Sequence, residues 1–150
     1  MRPPTYRHTQ DGHWYLLLLA ISLALLVALR FVGLGSWIGY LVLLDALFMG
    51  LLAASFRNLT VEDRGDHLRL RFGPLRLLPA KRIPYSTIKG ARAARSTLMA
   101  GWGIHWSPRG WIWNISGFDC VELDLPDKRV RIGTDDGANL LRFIEERTAP

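Results

Sequence analysis

Ser55-Phe-Arg-Asn-Leu-Thr-Val-Glu-Asp-Arg-Gly-Asp-His-Leu-Arg-Leu-Arg-Phe72 is the stretch in which the chain changes both solvent and period. Before it, Trp14 to Phe56 contains two charged residues, Arg30 and Asp45; after it, Arg57 to Pro150 contains sixteen Lys or Arg and eleven Asp or Glu. Inside it, Leu68, Leu70 and Phe72 alternate with His67, Arg69 and Arg71, the period of a strand with one wet face. Leu59 to Asp63 reads as its hairpin partner across Arg64-Gly-Asp66. The chain therefore divides into an N-terminal segment (1–13), an apolar hairpin (14–56) and a charged unit (57–150).

The apolar part reads as two helices. Trp14–Val32 and Trp37–Phe56 are each long enough to cross about 30 Å of hydrocarbon at ~1.5 Å per residue, and Gly33-Leu-Gly-Ser36 is too short for anything but a tight turn. A cleaved signal peptide fits less well, because the run is long for such a segment, no small-x-small site follows, and a second span comes at once. Arg2 and Arg7 precede the first span and Arg57, Arg64, Arg69 and Arg71 follow the second, while the turn offers only Arg30 at its edge, so both termini are expected in the cytoplasm. Asp45 falls mid-span, where a carboxylate costs on the order of 2.5–3.5 kcal/mol and needs a partner. Ser22 lies at matching depth and is one candidate. Gly35, Gly39, Ala46, Gly50 and Ala53 form a stripe of small residues suited to close helix approach, and Asp45 stands about 110° from its centre. Asp45, Gly39 and Gly50 are thus the candidate assembly residues in the membrane, with another subunit as the expected partner of Asp45.

The charged unit reads as successive strands closed by one helix. About 94 residues must supply the core, so nearly every large apolar side chain is needed for it. Arg82–Tyr85 and Ile88–Ala94 are weaker strand candidates around Pro84. Ser107-Pro-Arg-Gly110 carries the residues of a type I turn, which sets Trp106 against Trp111, Ile104 against Trp113 and Trp102 against Ile115, all on one face expected to be mainly core. Gly103, His105, Ile112 and Asn114 take the other face. A loop over Pro126–Arg129 would pair Leu125 with Val130, Leu123 with Ile132 and Asp124 with Arg131. Thr134 offers a cap for a helix of about fourteen residues, with Asp135 and Asp136 at its positive end and Leu140, Leu141, Phe143 and Ile144 on its apolar face.

The order of elements, the segment Arg82-Ile-Pro-Tyr-Ser-Thr-Ile88, and Gly110-Trp-Ile-Trp-Asn-Ile-Ser-Gly117 through Val121-Glu-Leu and Arg131-Ile-Gly-Thr-Asp-Asp136 resemble bacterial pleckstrin-homology-like (PH-like) domain proteins with an N-terminal membrane hairpin. The likeness covers roughly residues 60–147. It implies an α+β chain, a transmembrane α-hairpin followed by a PH-like, partly open β-barrel capped by a C-terminal helix. It also implies a multi-pass protein of the bacterial inner membrane acting as a non-enzymatic scaffold. The Lys followed by Lys/Arg-x-Arg of lipid-binding eukaryotic members is matched only by Arg69-Leu-Arg71, with no upstream Lys, so inositol phosphate recognition is not implied.

The usual phosphate-loop, zinc and hydrolase motifs are absent from the sequence, so no catalytic residue, metal ligand or cofactor is assigned. Cys120, His105 and Asp119 have no spacing that supports a nucleophilic triad, and the lone cysteine forms no internal disulfide. Charge is more informative. Arg64, Arg69, Arg71, Arg76, Lys81, Arg82, Lys89, Arg92 and Arg95 fall within 32 residues that hold one acid, Asp66, whereas five basic and eight acidic residues follow from Trp111 onward. Such a run beside a membrane suits anionic headgroups or an acidic partner. Nucleic acid is not the expected partner, since no aromatic side chain interleaves the run. The sequence thus leads to a membrane-anchored binding or assembly module, in contact with lipids and with a second copy or another membrane protein. The rival is a subunit of a membrane-embedded enzyme or transporter that uses Asp45.

Overall fold

The computed structural model describes residues 5–97, 103–108 and 110–149. It is a mixed α+β chain with two N-terminal apolar helices, two sheets and a C-terminal helix. Helices α1 (Trp14–Val32) and α2 (Trp37–Ser55) are each long and apolar enough to cross a membrane, and little of their surface is buried within the protein. The turn between them is built by small residues. Gly33 leaves α1 at φ +74°, and Ser36 Oγ accepts the Gly39 N–H at 3.2 Å, which caps α2. A Cβ on Gly39 would sit 1.9 Å from the Gly33 carbonyl oxygen, so only glycine lets the turn close. Further along, Ser22 Oγ donates to the Ala46 carbonyl at 2.8 Å, and Ala46 and Ala53 are buried between the helices. Ala46, Gly50 and Ala53 of the small-residue stripe therefore pack against α1. Ser22, however, bonds the backbone of α2 and not Asp45.

A short strand, β1 (Arg7–Asp11), precedes α1 and pairs antiparallel with β2 (Asn58–Asp63), which follows α2. The two ends of the helical hairpin are thereby stitched into one sheet, completed by β3 (His67–Phe72) and β4 (Lys81–Pro84) in the order β1-β2-β3-β4. The β2–β3 hairpin across Arg64-Gly-Asp66 forms as the alternation predicts. The second sheet contains β5 (Gly90–Arg95), β6 (Gly103–Ser107), β7 (Gly110–Asn114), β8 (Asp119–Asp124) and β9 (Arg129–Gly133), in the order β5-β8-β9-β7-β6. Strand β9 inserts between β8 and β7 and runs parallel to β7. Helix α3 (Gly137–Thr148) packs across β5 and β8.

The core lies between the sheets and α3. Leu59, Val61, Leu68, Leu70, Phe72 and Ile83 meet Trp113, Val121, Leu123, Val130 and Ile132, with Leu140, Phe143 and Ile144 closing the top. Phe72 meets Trp113 at 5.7 Å with the rings tilted 37° to each other, and Phe56 meets Phe72 edge-on at 5.5 Å, so the end of α2 is tied to the core by aromatic contacts.

Four expectations need correction. The sheets are not closed into a barrel. Pro84 has no N–H to extend the β4 ladder, and a 3-10 turn over Tyr85–Thr87 swings the chain away before β5. The sheets meet through side chains instead, among them Gln10 Nε2 donating to the Ser116 carbonyl at 3.1 Å. The second hairpin is shifted by two residues. Leu125 N–H bonds the Lys128 carbonyl at 2.9 Å around Pro126-Asp127, so Leu123 pairs with Val130, Asp124 with Arg129 and Glu122 with Arg131. The tryptophan hairpin does pair Trp106 with Trp111 and Ile104 with Trp113, but only Trp113 is core, at 6% exposure, against 67% for Trp106 and 39% for Trp111. Helix α3 covers the β5–β8 side and leaves that outer rung open; Trp102 and Arg109 lie outside the described residues. The helix itself spans twelve residues, and Thr134 Oγ1 accepts the Asp136 N–H at 3.1 Å just ahead of it.

Candidate functional site

Strand alternation sends the apolar side chains of β2 and β3 inward and their charged ones outward, and register then lines the outer residues into rows. One row crosses the first sheet as Arg7, Glu62, Arg69 and Arg82; the next carries Thr9, Thr60 and Arg71. Arg64, at the β2–β3 turn, donates to Glu62 Oε1 at 2.8 Å, and Arg69 Nε lies 3.6 Å from the same oxygen. Burial would raise the Glu62 pKa, but Arg64, Arg69 and Arg71 outweigh it and hold the carboxyl below its usual range. One nearly buried carboxylate thus serves several arginines. Arg71, Arg76 and Arg82 make no ion pair with a described carboxylate, and Arg71 Nε is buried without a hydrogen-bond partner among the described residues. Cross-strand neighbours stand ~5 Å apart, where two like charges in water repel by about 1 kcal/mol. An anion laid on this face would relieve that repulsion.

The nine basic residues do not form one patch. Arg92 and Arg95 belong to β5 in the second sheet, and both are answered there by carboxylates. Arg92 bonds Glu122 and lies 3.2 Å from Asp124, and Arg95 Nε lies 3.3 Å from Asp119. Lys89 lies just before β5, where its N–H bonds the Asp124 carbonyl at 2.8 Å. Lys81, at the start of β4, has its pKa lowered by burial and by Lys128 opposite. Arg76 sits in the β3–β4 loop. What remains together is the outer face of the first sheet, namely Arg64, Arg69, Arg71 and Arg82, joined by Arg7 from the N-terminal strand.

Two buried carboxylates were missed in the sequence. Glu122, with its side chain 2% exposed, receives Arg131 Nε at 2.5 Å, is bonded by Arg92, and has Arg129 at 3.8 Å. Burial alone would raise its pKa, but Arg131 and Arg92 outweigh that and hold the carboxyl below its usual range. The alternation of Val121 and Leu123 already placed Glu122 outward, but the shifted register assigned Arg131 to the wrong acid. Asp63 accepts from Arg147 at 2.7 Å, from Tyr85 Oη at 2.9 Å and from the Gly65 N–H at 2.8 Å. Arg147 also lies over the Tyr85 and Phe143 rings, so this cluster fastens α3 to the β2–β3 turn.

In the helical hairpin, Gly39 faces the Gly33–Leu34 turn and Gly50 faces α1, where a Cβ would meet Ser22 Oγ at 3.3 Å. Asp45 is exposed on the flank of α2, beside the small-residue stripe, with no hydrogen bond or ion pair to any described residue. No group of three His, Cys, Asp or Glu that could hold a metal occurs among the described residues. Cys120 on β8 and His105 on β6 are three strand spacings apart, roughly 14 Å. Burial raises the Cys120 pKa and lowers that of His105, the reverse of what an activated thiolate and its base require. No protein-family model matches the chain, and no curated protein sequence matches it.

Proposed function

We propose that this chain is a membrane-anchored, non-enzymatic binding and assembly module of PH-like architecture, held at the cytoplasmic face of a bacterial inner membrane by α1 and α2. The observation that carries the reading is the arginine-rich outer face of the first sheet, Arg7, Arg64, Arg69, Arg71 and Arg82 around the single Glu62, on the same sheet that holds both ends of the helical hairpin. Pairing of β1 with β2 favours both ends of the hairpin lying on one side of the bilayer, and the basic flanks favour the cytoplasmic side. Anionic headgroups fit the basic face by charge. The outward, unpartnered Asp45 supports a second reading, in which α2 docks on another membrane subunit, including one of an enzyme or transporter.

The test is native mass spectrometry of the full chain ejected from nanodiscs of mixed anionic and zwitterionic lipid. Wild type should retain anionic lipid at least threefold over its share of the mixture, and the Arg71→Glu/Arg76→Glu variant, which reverses charge at the end of the face nearest the helices, should lose that enrichment. Retention in proportion to the mixture by wild type would remove the lipid-binding assignment.

A further inference from the structure

The loop between β3 and β4, Gly73-Pro-Leu-Arg-Leu-Leu-Pro-Ala80, is longer than a β-hairpin needs and unusually apolar. Leu75 and Leu77 are each 54% exposed, while Leu78 packs on the core. Arg76, between the two exposed leucines, is the only non-glycine residue at positive φ (55°) among the described residues, a conformation that must be held by its surroundings. The two leucines flank that turn as a small apolar patch on the surface.

Gly73 N–H bonds the Asn58 carbonyl at 2.9 Å, and a Cβ on Gly73 would lie 2.6 Å from the carbonyl oxygens of Ala54 and Ser55, so the loop begins pressed against the last turn of α2. Pro74 and Leu75 then line a shallow apolar cavity of about 250 Å³ whose other walls include Tyr15, Leu19, Gly50 and Ala53. Leu19 and Gly50 are each five residues inside their helix ends, about 7–8 Å of axial rise. Leu75 therefore borders a cavity that runs along the helices from Arg57 at their end to their second turn.

We infer that the Pro74–Leu78 segment is a membrane-inserting loop that seats Leu75 and Leu77 in the headgroup–acyl boundary of the bilayer that α1 and α2 cross. The inference rests on the membrane reading of those helices. Amphipathic segments bury their apolar side chains 5–10 Å into that boundary, which matches the depth set by Leu19 and Gly50. Arg76 extends its aliphatic stem along the same surface and leaves its guanidinium among the phosphates. With Arg57, whose guanidinium stands 6.0 Å over the Tyr15 ring at the helix ends, it forms the lipid-facing end of the basic surface. The loop thus fixes the tilt of the sheets on the membrane, a task the two helices alone leave open.

The experiment uses the full chain in zwitterionic vesicles, with the buried Cys120 replaced by alanine and single cysteines placed by Leu77→Cys, Asp66→Cys and Leu47→Cys. Each carries an environment-sensitive fluorophore and is quenched in turn by iodide and by a lipid bearing a shallow spin label. Position 77 should be quenched at least fivefold more efficiently by the lipid than by iodide, position 66, at the far turn of β2–β3, should show the reverse, and position 47 in α2 should behave as lipid-embedded. If 47 is embedded while 77 follows iodide, the membrane reading stands and the loop assignment falls. Shielding of 77 from both quenchers also overturns it, since protein would then cover the loop. If 47 is open to iodide, the helices do not span and both readings fall together.

Discussion

Replacing Glu122 by glutamine removes a charge that three arginines converge on, and its effect can be worked from the structure. The Glu122 side chain is 2% exposed and that of Arg131 14%, so the variant leaves one buried guanidinium facing a neutral amide; Arg92, half exposed, turns to water or Asp124. Breaking a buried pair from one side costs ~3–5 kcal/mol, and the mobility of Arg92 puts this case at the lower end, about 3 kcal/mol. At ~1.5 kcal/mol per molar urea, the unfolding midpoint falls by ~2 M. The assay is urea unfolding in nanodiscs followed by tryptophan emission, with Trp113 in the core as reporter. The pH dependence is a second signature. Glu122 titrates below its ordinary range in the folded chain, so its contribution is complete above that range and is lost as pH falls through the depressed folded value. The gap between wild type and Glu122→Gln should therefore hold at pH 7 and begin to narrow once the pH falls below the ordinary carboxylate range, about 4. Pairing Glu122→Leu with Arg131→Met should recover most of the loss, because no isolated charge then stays buried. A midpoint shift under ~0.3 M for Glu122→Gln at pH 7, or a gap that does not narrow at all as the pH is lowered from 7 to 3, would refute the reasoning.

The tryptophan rungs should separate cleanly: Trp113→Ala is expected to cost ~3–5 kcal/mol, as for any large buried ring, whereas Trp106→Ala should stay within ~0.5 kcal/mol, both measured by the same unfolding assay. Asp45→Ala should reduce crosslinking between α2 helices in native membranes only two- to threefold, because interhelical hydrogen bonds average ~0.6 kcal/mol; unchanged yields would detach Asp45 from assembly. A reporter fused after Pro150 should be active in the cytoplasm, and activity confined to the periplasm would reverse the topology.

The β1 strand shows why part of the fold was hidden. Its inward residues His8 and Gln10, with Tyr6 just before it, carry no run of aliphatic side chains, so the segment reads as a polar tail. Its place is set by distant partners: Tyr6 Oη donates to Asp136 at 3.0 Å, His8 Nε2 meets Asp135 at 2.5 Å, and Gln10 reaches Ser116. The candidate site divided in the same way. Arg69 and Arg71 were legible as outward residues of one strand. That Arg7 and Arg82 join them in rows while Arg92 and Arg95 leave for acids on the second sheet depends on pairings between segments far apart in sequence.

What the sequence determined by itself is what short-range chemistry dictates. Forty-odd residues with two charges make two long apolar helices, the small stripe turns toward α1, and tight turns at Arg64–Asp66 and Ser107–Gly110 set the registers of their hairpins. These follow because periodicity and turn geometry act over a few residues. The tertiary structure alone decided the insertion of β9 between β8 and β7, the open seam between the sheets, and the burial of Trp113 beside an exposed Trp106. A hairpin specifies which side chains share a face, but whether a neighbour covers that face is settled by nonlocal packing, here by an α3 that spans β5 and β8 and stops short of the outer rung.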